Sequence, residues 1–235
     1  MEHMQISLDE VENDFQPWGN LDNREFYEKI SLHGFLELLS LSGLTKNQDV
    51  VLISDHIKNA NSILDIGGGF GRIINACQQL GYKNDLATIE YTNHYAEFLK
   101  NNFKDCQIVE DDFLTYPFNR KFDLLLMMWT TISIFSPIEQ KLCFKKCAKL
   151  LNAGGYCVID LLISNACDEA KANKSKEYCF TDQDTGVEHH GYVPTTFEII
   201  QAAARAKLAV REIREYIAGT AARCLVVFGF KISLN

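Results

Sequence analysis

Between Ile63 and Gly71 the chain reads Ile-Leu-Asp-Ile-Gly-Gly-Gly-Phe-Gly. An aliphatic run that stops at consecutive glycines marks a strand turning directly into a helix. Glycines at such a turn let the backbone approach a ligand closely and set the N–H groups of the helix N-terminus against it. The spacing narrows what that ligand is. A dinucleotide fold wants G-x-G-x-x-G, but after Gly67 and Gly69 the next required position is Arg72. A P-loop fails too, because no Gly-Lys-Ser/Thr follows. Asp65, inside the turn, repels a pyrophosphate and suits an ammonium group. The ligand implied is a nucleoside with a cationic tail.

The pattern around this turn is one of alternation. Residues 24–41 and 47–58 carry helical apolar spacing, with Phe26, Ile30, Phe35, Leu38 and Leu39 on one stripe. A strand over 63–66 is followed by a helix over 72–80 that Gly81 stops. A strand over 86–90, a helix to about 101 and a strand over 107–110 come next. The run 122–129 is apolar on both faces, as in a central parallel strand covered by helices. Ser136-Pro137 opens a helix over 138–151, and Gly154-Gly155 leads into a strand over 156–163. Strands 177–181 and 187–192 flank a turn-rich segment and form a β-hairpin. Thr195-x-x-Glu198 is a capping box for a helix to about 207. Two last strands, 208–217 and 221–232, are joined by a link too short for a crossover and so pair antiparallel. The fold class expected is α/β, a doubly wound Rossmann-like sheet with an antiparallel last strand. Residues 1–60 form an N-terminal helical extension or lid, and residues 61–235 the main domain, with the hairpin inserted at about 176–193.

The 235 residues hold 23 Lys and Arg against 31 Asp and Glu, a formal charge of -8, which disfavours binding to a nucleic-acid phosphate backbone. The longest strongly apolar stretch, 124–129, is far short of a membrane span. The acidic, polar N-terminus lacks the features of a signal peptide. The eight cysteines form no C-x-x-C and read as buried free thiols of a reducing compartment, so a cytoplasmic location is expected. Cys143 and Cys147 lie one helical turn apart, but without further ligands nearby no metal site is expected.

At LDIGGGFGR, with its acid followed by G-x-G-x-G, the sequence resembles the class I S-adenosylmethionine-dependent methyltransferases. Glu90, ending the second strand, matches the acid that binds the ribose diol in that family. Asp111-Asp112-Phe113-Leu-Thr-Tyr-Pro-Phe118 resembles its third motif, in which Asp112 would accept from the adenine amino group and Phe113 would pack along the ring. Leu150-Leu-Asn-Ala-Gly-Gly155 resembles the turn before the family's fifth strand, and the closing antiparallel pair its reversed seventh strand. The resemblance spans roughly residues 61–232. It implies S-adenosyl-L-methionine as methyl donor, S-adenosyl-L-homocysteine as product, and donor binding by Asp65, Gly67, Gly69, Gly71, Glu90, Tyr91, Asp112, Phe113 and Met128. Arg72 is expected as a solvated residue of the first helical turn.

The exit of the fourth strand, Met127-Met-Trp-Thr-Thr-Ile-Ser133, reports on the acceptor. It lacks N-P-P-Y and Pro-Cys motifs and any metal-binding acidic pair, and is similar to small-molecule N- or O-methyltransferases. Protein or RNA methylation, and a non-catalytic module that binds an adenosyl ligand, are the alternatives. Methyl transfer from a sulfonium needs chiefly in-line positioning and desolvation, while the acceptor's proton calls for a base. His189 and His190 are the catalytic candidates. As neighbours on a strand they point to opposite faces, so at most one enters the pocket. Trp129, Tyr192 and Tyr27 are candidates for acceptor binding, with Trp18 and His33 as further lid residues. The acceptor's identity, the atom methylated and the oligomeric state are not fixed by the sequence.

Overall fold

The computed structural model describes residues 23–165, 176–182 and 184–231. Trp18 lies outside them. Five parallel strands build the first part of one sheet: β1 (Ser62–Ile66), β2 (Asp85–Glu90), β3 (Gln107–Glu110), β4 (Phe122–Met127) and β5 (Leu151–Asn165). β8 (Leu208–Ala218) and β9 (Ala221–Phe230) complete it in the order β3-β2-β1-β4-β5-β9-β8. β9 runs antiparallel to both β5 and β8, so the strand reversal read from the short link Ala218-Gly219-Thr220 is present. This is the doubly wound Rossmann-like sheet with an antiparallel last strand.

Alternate residues on each strand feed two separate cores, as the period of two requires. Leu64, Leu125, Met127, Cys157, Ile159, Val226 and Phe228 face α7 (Pro137–Leu150) and α8 (Thr196–Arg205). Ile63, Leu124, Leu126, Val158, Leu225 and Val227 face the opposite layer. There Ile53, Ile57, Ile73, Ile74 and Cys77 close the core, carried by the N-terminal helices and by α5 (Arg72–Gln79). Asp160 and Arg223 are buried as a pair on neighbouring strands β5 and β9, with the Tyr216 hydroxyl donating to Asp160 Oδ1 at 2.8 Å.

Local chemistry sets the ends of the elements. Ser136 and Glu139 exchange side-chain and backbone hydrogen bonds at the start of α7, with Pro137 at its first position. Thr195 and Glu198 do the same for α8. Gly81 ends α5 in the left-handed region, and the Tyr82 N–H closes back on the Cys77 carbonyl at 3.0 Å.

The N-terminal segment departs from expectation. The stripe over 24–41 is two helices, α1 (Arg24–Lys29) and α2 (Leu32–Leu41). Ile30 is extended, and the Ser31 side chain caps α2 by accepting from the Gly34 N–H at 3.1 Å. The second stripe is likewise split at Ile53 into α3 (Gln48–Leu52) and α4 (Ser54–Asn59). The fourth strand stops at Met127, because Trp129 and Thr130 turn into the left-handed region. β5 begins at Leu151, before Gly154-Gly155, in the residue after α7 ends. A hairpin of β6 (Lys176–Thr181) and β7 (Glu188–Val193) forms a separate two-stranded sheet. α6 (Asn93–Asn102) links β2 to β3.

Candidate active site

Strand order reverses between β1 and β4, and the carboxyl ends of the strands at that switch point form the natural ligand crevice of an open α/β sheet. A cavity of about 290 Å³ lies there. Its floor is the glycine turn. Gly67, Gly69 and Gly71 all have positive φ, of 82°, 48° and 79°. The Gly67 N–H donates to the Ile89 carbonyl at 2.9 Å, and the Gly69 N–H to Glu90 Oε2 at 2.8 Å. Gly71 serves packing: a Cβ there would lie 2.3 Å from Phe103 Cε2.

Two carboxylates face this floor. Asp65 is 1 % exposed, and its Oδ2 accepts from the Thr88 hydroxyl at 3.4 Å. Burial pushes its pKa up to about 7, opposed by the Arg72 guanidinium and the Thr88 hydroxyl. Glu90 is 4 % exposed and holds one backbone N–H on each oxygen, Gly69 on Oε2 and Thr92 on Oε1 at 2.9 Å. Burial raises its pKa as well, against those two hydrogen bonds. Each Glu90 oxygen retains a lone pair for a hydroxyl donor. Two buried acids beside one cavity are costly without a cation, so the site suits a ligand that brings positive charge and hydroxyls together.

The wall opposite is aromatic. Phe26 and Tyr27 of α1, Phe35 of α2, Phe70, Tyr91, Tyr95, Trp129, Tyr178 and Phe180 all line the cavity. Phe35 meets Trp129 edge to face at 5.0 Å and Phe70 at 5.1 Å. At the exit of β4, Trp129 and Thr130 have φ of 50° and 59°. The turn is held by the Thr131 hydroxyl donating to the Met128 carbonyl at 2.7 Å. Consecutive non-glycine residues in this region cost about 1–3 kcal/mol each, a strain typical of ligand-binding turns.

The hairpin closes the remaining side. His189 is 4 % exposed, and its Nε2 sits 2.9 Å from the Tyr27 hydroxyl. Burial and the neighbouring His190 lower its pKa to about 4, so the imidazole is neutral near pH 7. Burial holds the Tyr27 hydroxyl well above its ordinary range, so it stays protonated. His189 Nδ1 is buried without a hydrogen-bond partner.

Asp65, Gly67, Gly69, Glu90, Tyr91, Met128, Trp129, Tyr27 and His189 therefore converge on one cavity. Gly71 lies just behind the floor. Asp112 and Phe113 do not line the cavity. Asp112 Oδ1 accepts from the Leu114 and Thr115 N–H groups at 2.6 and 3.2 Å, and Phe113 is buried in the α7 core under the Lys146 ammonium. His190 faces the other side of β7, toward Cys179 and Glu188. The Tyr192 hydroxyl donates to Glu198 Oε1. His33 is exposed beside Glu37 on α2. Arg72 is not solvated: it lines the cavity and pairs with buried Asp49. Phe26 and Phe35 appear in the sequence only as part of a helix stripe. Phe70, Tyr95, Tyr178 and Phe180 gave no signal, because the contacts that gather them come from tertiary packing.

Residues 63–155 match the family model of the methyltransferase domain. Among solved structures, the glycopeptide N-methyltransferase MtfA in complex with S-adenosyl-L-homocysteine superimposes with a TM-score of 0.63. The identity is 12%, covering 86% of this chain and 99% of that one. An S-adenosylmethionine-dependent methyltransferase from Clostridium acetobutylicum gives 0.64 at 14% identity over 84% and 99%. Streptomyces venezuelae DesVI gives 0.61 at 13% over 84% and 98%. No curated protein sequence matches the chain. Residues 63–155 are thus similar to a methyltransferase domain, and the fold is the one these S-adenosylmethionine-dependent enzymes share.

Proposed function

We propose that this chain is a class I methyltransferase that takes S-adenosyl-L-methionine as donor and methylates a nitrogen or oxygen of a small molecule. One observation carries the reading: Asp65 and Glu90, both buried, share an aromatic cavity with the ligand-facing backbone of Gly67 and Gly69. Glu90 accepts the ribose hydroxyls, and Asp65 balances the cationic end. Tyr91 and Met128 border the adenosyl group. The neighbours crystallised with S-adenosyl-L-methionine, S-adenosyl-L-homocysteine and sinefungin share the fold, which supports this reading.

When bound, the donor supplies a methyl group on a sulfonium, so the acceptor's lone pair forms the new bond as the carbon–sulfur bond breaks and a neutral thioether leaves. The residues of this chain position and desolvate. Phe26, Phe35, Phe70 and Trp129 exclude water from the acceptor side, and their faces stabilise positive charge that develops on a nitrogen. His189, neutral and tied to Tyr27, positions the hairpin side of the cavity; with its pKa lowered to about 4 it is a weak base, and the acceptor's proton leaves to solvent. α1, α2 and the hairpin enclose a volume at the small end of ordinary ligand sites, which supports a small acceptor over a protein or RNA. Among the described residues no helix is long and apolar enough to cross a membrane.

Calorimetric titration with S-adenosyl-L-methionine, S-adenosyl-L-homocysteine and NAD tests the donor site. Binding of the two adenosyl ligands and not of NAD is expected, with Glu90→Ala weakening it about 10–100-fold for the lost charge-assisted hydrogen bonds. Unchanged affinity in Glu90→Ala overturns the site. Turnover is read as a 14-dalton mass gain across a panel of amines and alcohols.

A further inference from the structure

On the outer face of the hairpin, away from the cavity, Cys179, Glu188 and His190 bring a thiol, a carboxylate and an imidazole together, with one ligand atom from each lying within 4.8 Å of the others. Cys179 is directly paired with His190 across β6 and β7, and Glu188 is two residues from His190 on the same face. Cys179 Sγ lies 3.7 Å from His190 Nε2, and Nε2 lies 3.1 Å from Glu188 Oε2. Zinc bonds of about 2.3 Å to sulfur and about 2.0–2.1 Å to nitrogen or oxygen make the edges of a tetrahedron roughly 3.3–3.6 Å long. The three donors stand close to that arrangement without rearrangement of the backbone.

We propose that Cys179, Glu188 and His190 form a surface zinc site that ties β6 to β7, with solvent as the fourth ligand. The donor set points to zinc over the hard cations, since a thiolate and an imidazole are poor ligands for calcium or magnesium. Charge also balances: a thiolate, a carboxylate and a neutral imidazole offset a dication, and the thiol proton is released to solvent on binding. The consequence reaches the cavity. His189 lies between two of the ligands on β7, with its ring on the opposite face against Tyr27. Metal on the outer face holds the strand that carries His189 and adds stability to the hairpin.

Cys179 and His190 are 11 positions apart along the chain, a spacing outside ordinary zinc-ligand motifs. Only the register of the hairpin joins them. The other described cysteines are Cys77, Cys106, Cys143, Cys147, Cys157 and Cys224, and all six are buried.

The test is titration of the chelator-stripped full-length protein with cobalt(II), a spectroscopic substitute for zinc, followed by displacement with zinc. One equivalent of cobalt should give a thiolate-to-cobalt charge-transfer band that zinc abolishes. Cys179→Ser should remove the band, and Glu188→Ala and His190→Ala should each weaken affinity at least about tenfold. Buried Cys106→Ser is the control and should retain it. Zinc should raise the Tm of the wild type and not of Cys179→Ser, whose exposed position leaves folding intact. No band in the wild type, or an undiminished band in Cys179→Ser, overturns the site. S-adenosyl-L-methionine binding, measured on the same stripped protein, is independent of either result.

Discussion

Asp49 of α3 closes a two-pronged ion pair on Arg72, the first residue of α5, with Nη1 to Oδ1 at 2.9 Å and Nη2 to Oδ2 at 2.7 Å. Asp49 is fully buried and Arg72 nearly so. The pair fastens the N-terminal helices to the helix that begins at the glycine turn. It also divides the charge of Arg72 between Asp49 and Asp65, so that the guanidinium only partly offsets the burial of Asp65.

Removing one partner of such a pair leaves a buried charge without compensation, a loss of about 3–5 kcal/mol. Asp49→Ala is therefore expected to lower stability by that order and to weaken donor binding as well. Denaturant unfolding and calorimetry on the same variant separate the two effects. A change under about 1 kcal/mol would mean that Arg72 finds solvent or another acid at little cost.

Donor binding should release a proton near neutral pH. Burial raises Asp65 to about 7, so the free protein holds a proton there below about pH 7, including the interval above about pH 4 where an ordinary carboxyl has lost it. A cationic ligand favours the carboxylate and expels that proton. Affinity should therefore rise with pH and flatten above 7, falling about tenfold per unit below it for one linked proton. Titration in buffers of different ionisation enthalpy counts the proton directly. Asp65→Asn should abolish the pH slope. A slope that survives in Asp65→Asn assigns the linkage to Glu90.

The strand–helix alternation and the positions of Asp65, Gly67, Gly69 and Glu90 were legible because each rests on local chemistry: apolar runs that end in glycine or an acid. The capping residues Ser136 and Thr195 were legible for the same reason. The break at Ser31 was not, because the apolar stripe continues through it while the side chain of one serine decides the cap. Arg72 was misread as solvated because its partner lies 23 residues earlier in a helix of five residues. The aromatic wall was invisible for a related reason. Phe26, Phe35, Phe70 and Phe180 come from four separate segments, and no periodicity links them.

Gly71 and Gly154 share a left-handed backbone, with φ of 79° and 81°, but differ in their surroundings. A Cβ at Gly154 meets nothing within 4 Å, whereas at Gly71 it would strike the Phe103 ring. Gly154→Ala should cost only the backbone term, about 1–2 kcal/mol. Gly71→Ala should cost that and the repacking of Phe103, another 1–3 kcal/mol or so. Thermal unfolding of the two variants side by side checks the difference. Equal losses would mean that Phe103 swings away freely.

His189 should make the fold sensitive to mild acid. Its pKa is lowered to about 4 in the folded protein, against an ordinary value near 6.5 when unfolded. Between these two values the unfolded chain binds the proton and the folded chain does not, so stability falls as pH drops through that window. The full difference corresponds to about 3 kcal/mol at most. Asp65 runs the other way, since its raised pKa favours the folded state at low pH and that contribution is lost as pH rises through 7. Comparing wild type with His189→Phe, which keeps an aromatic ring among Phe26, Tyr178 and Phe180, isolates the histidine. The variant should lose less stability than wild type does between pH 7 and pH 5. The Tyr27 hydroxyl loses its partner in that variant, which costs about 1–3 kcal/mol at both pH values, so the difference between the two pH values carries the inference. If that difference matches the wild type's, His189 is not the group that takes up the proton.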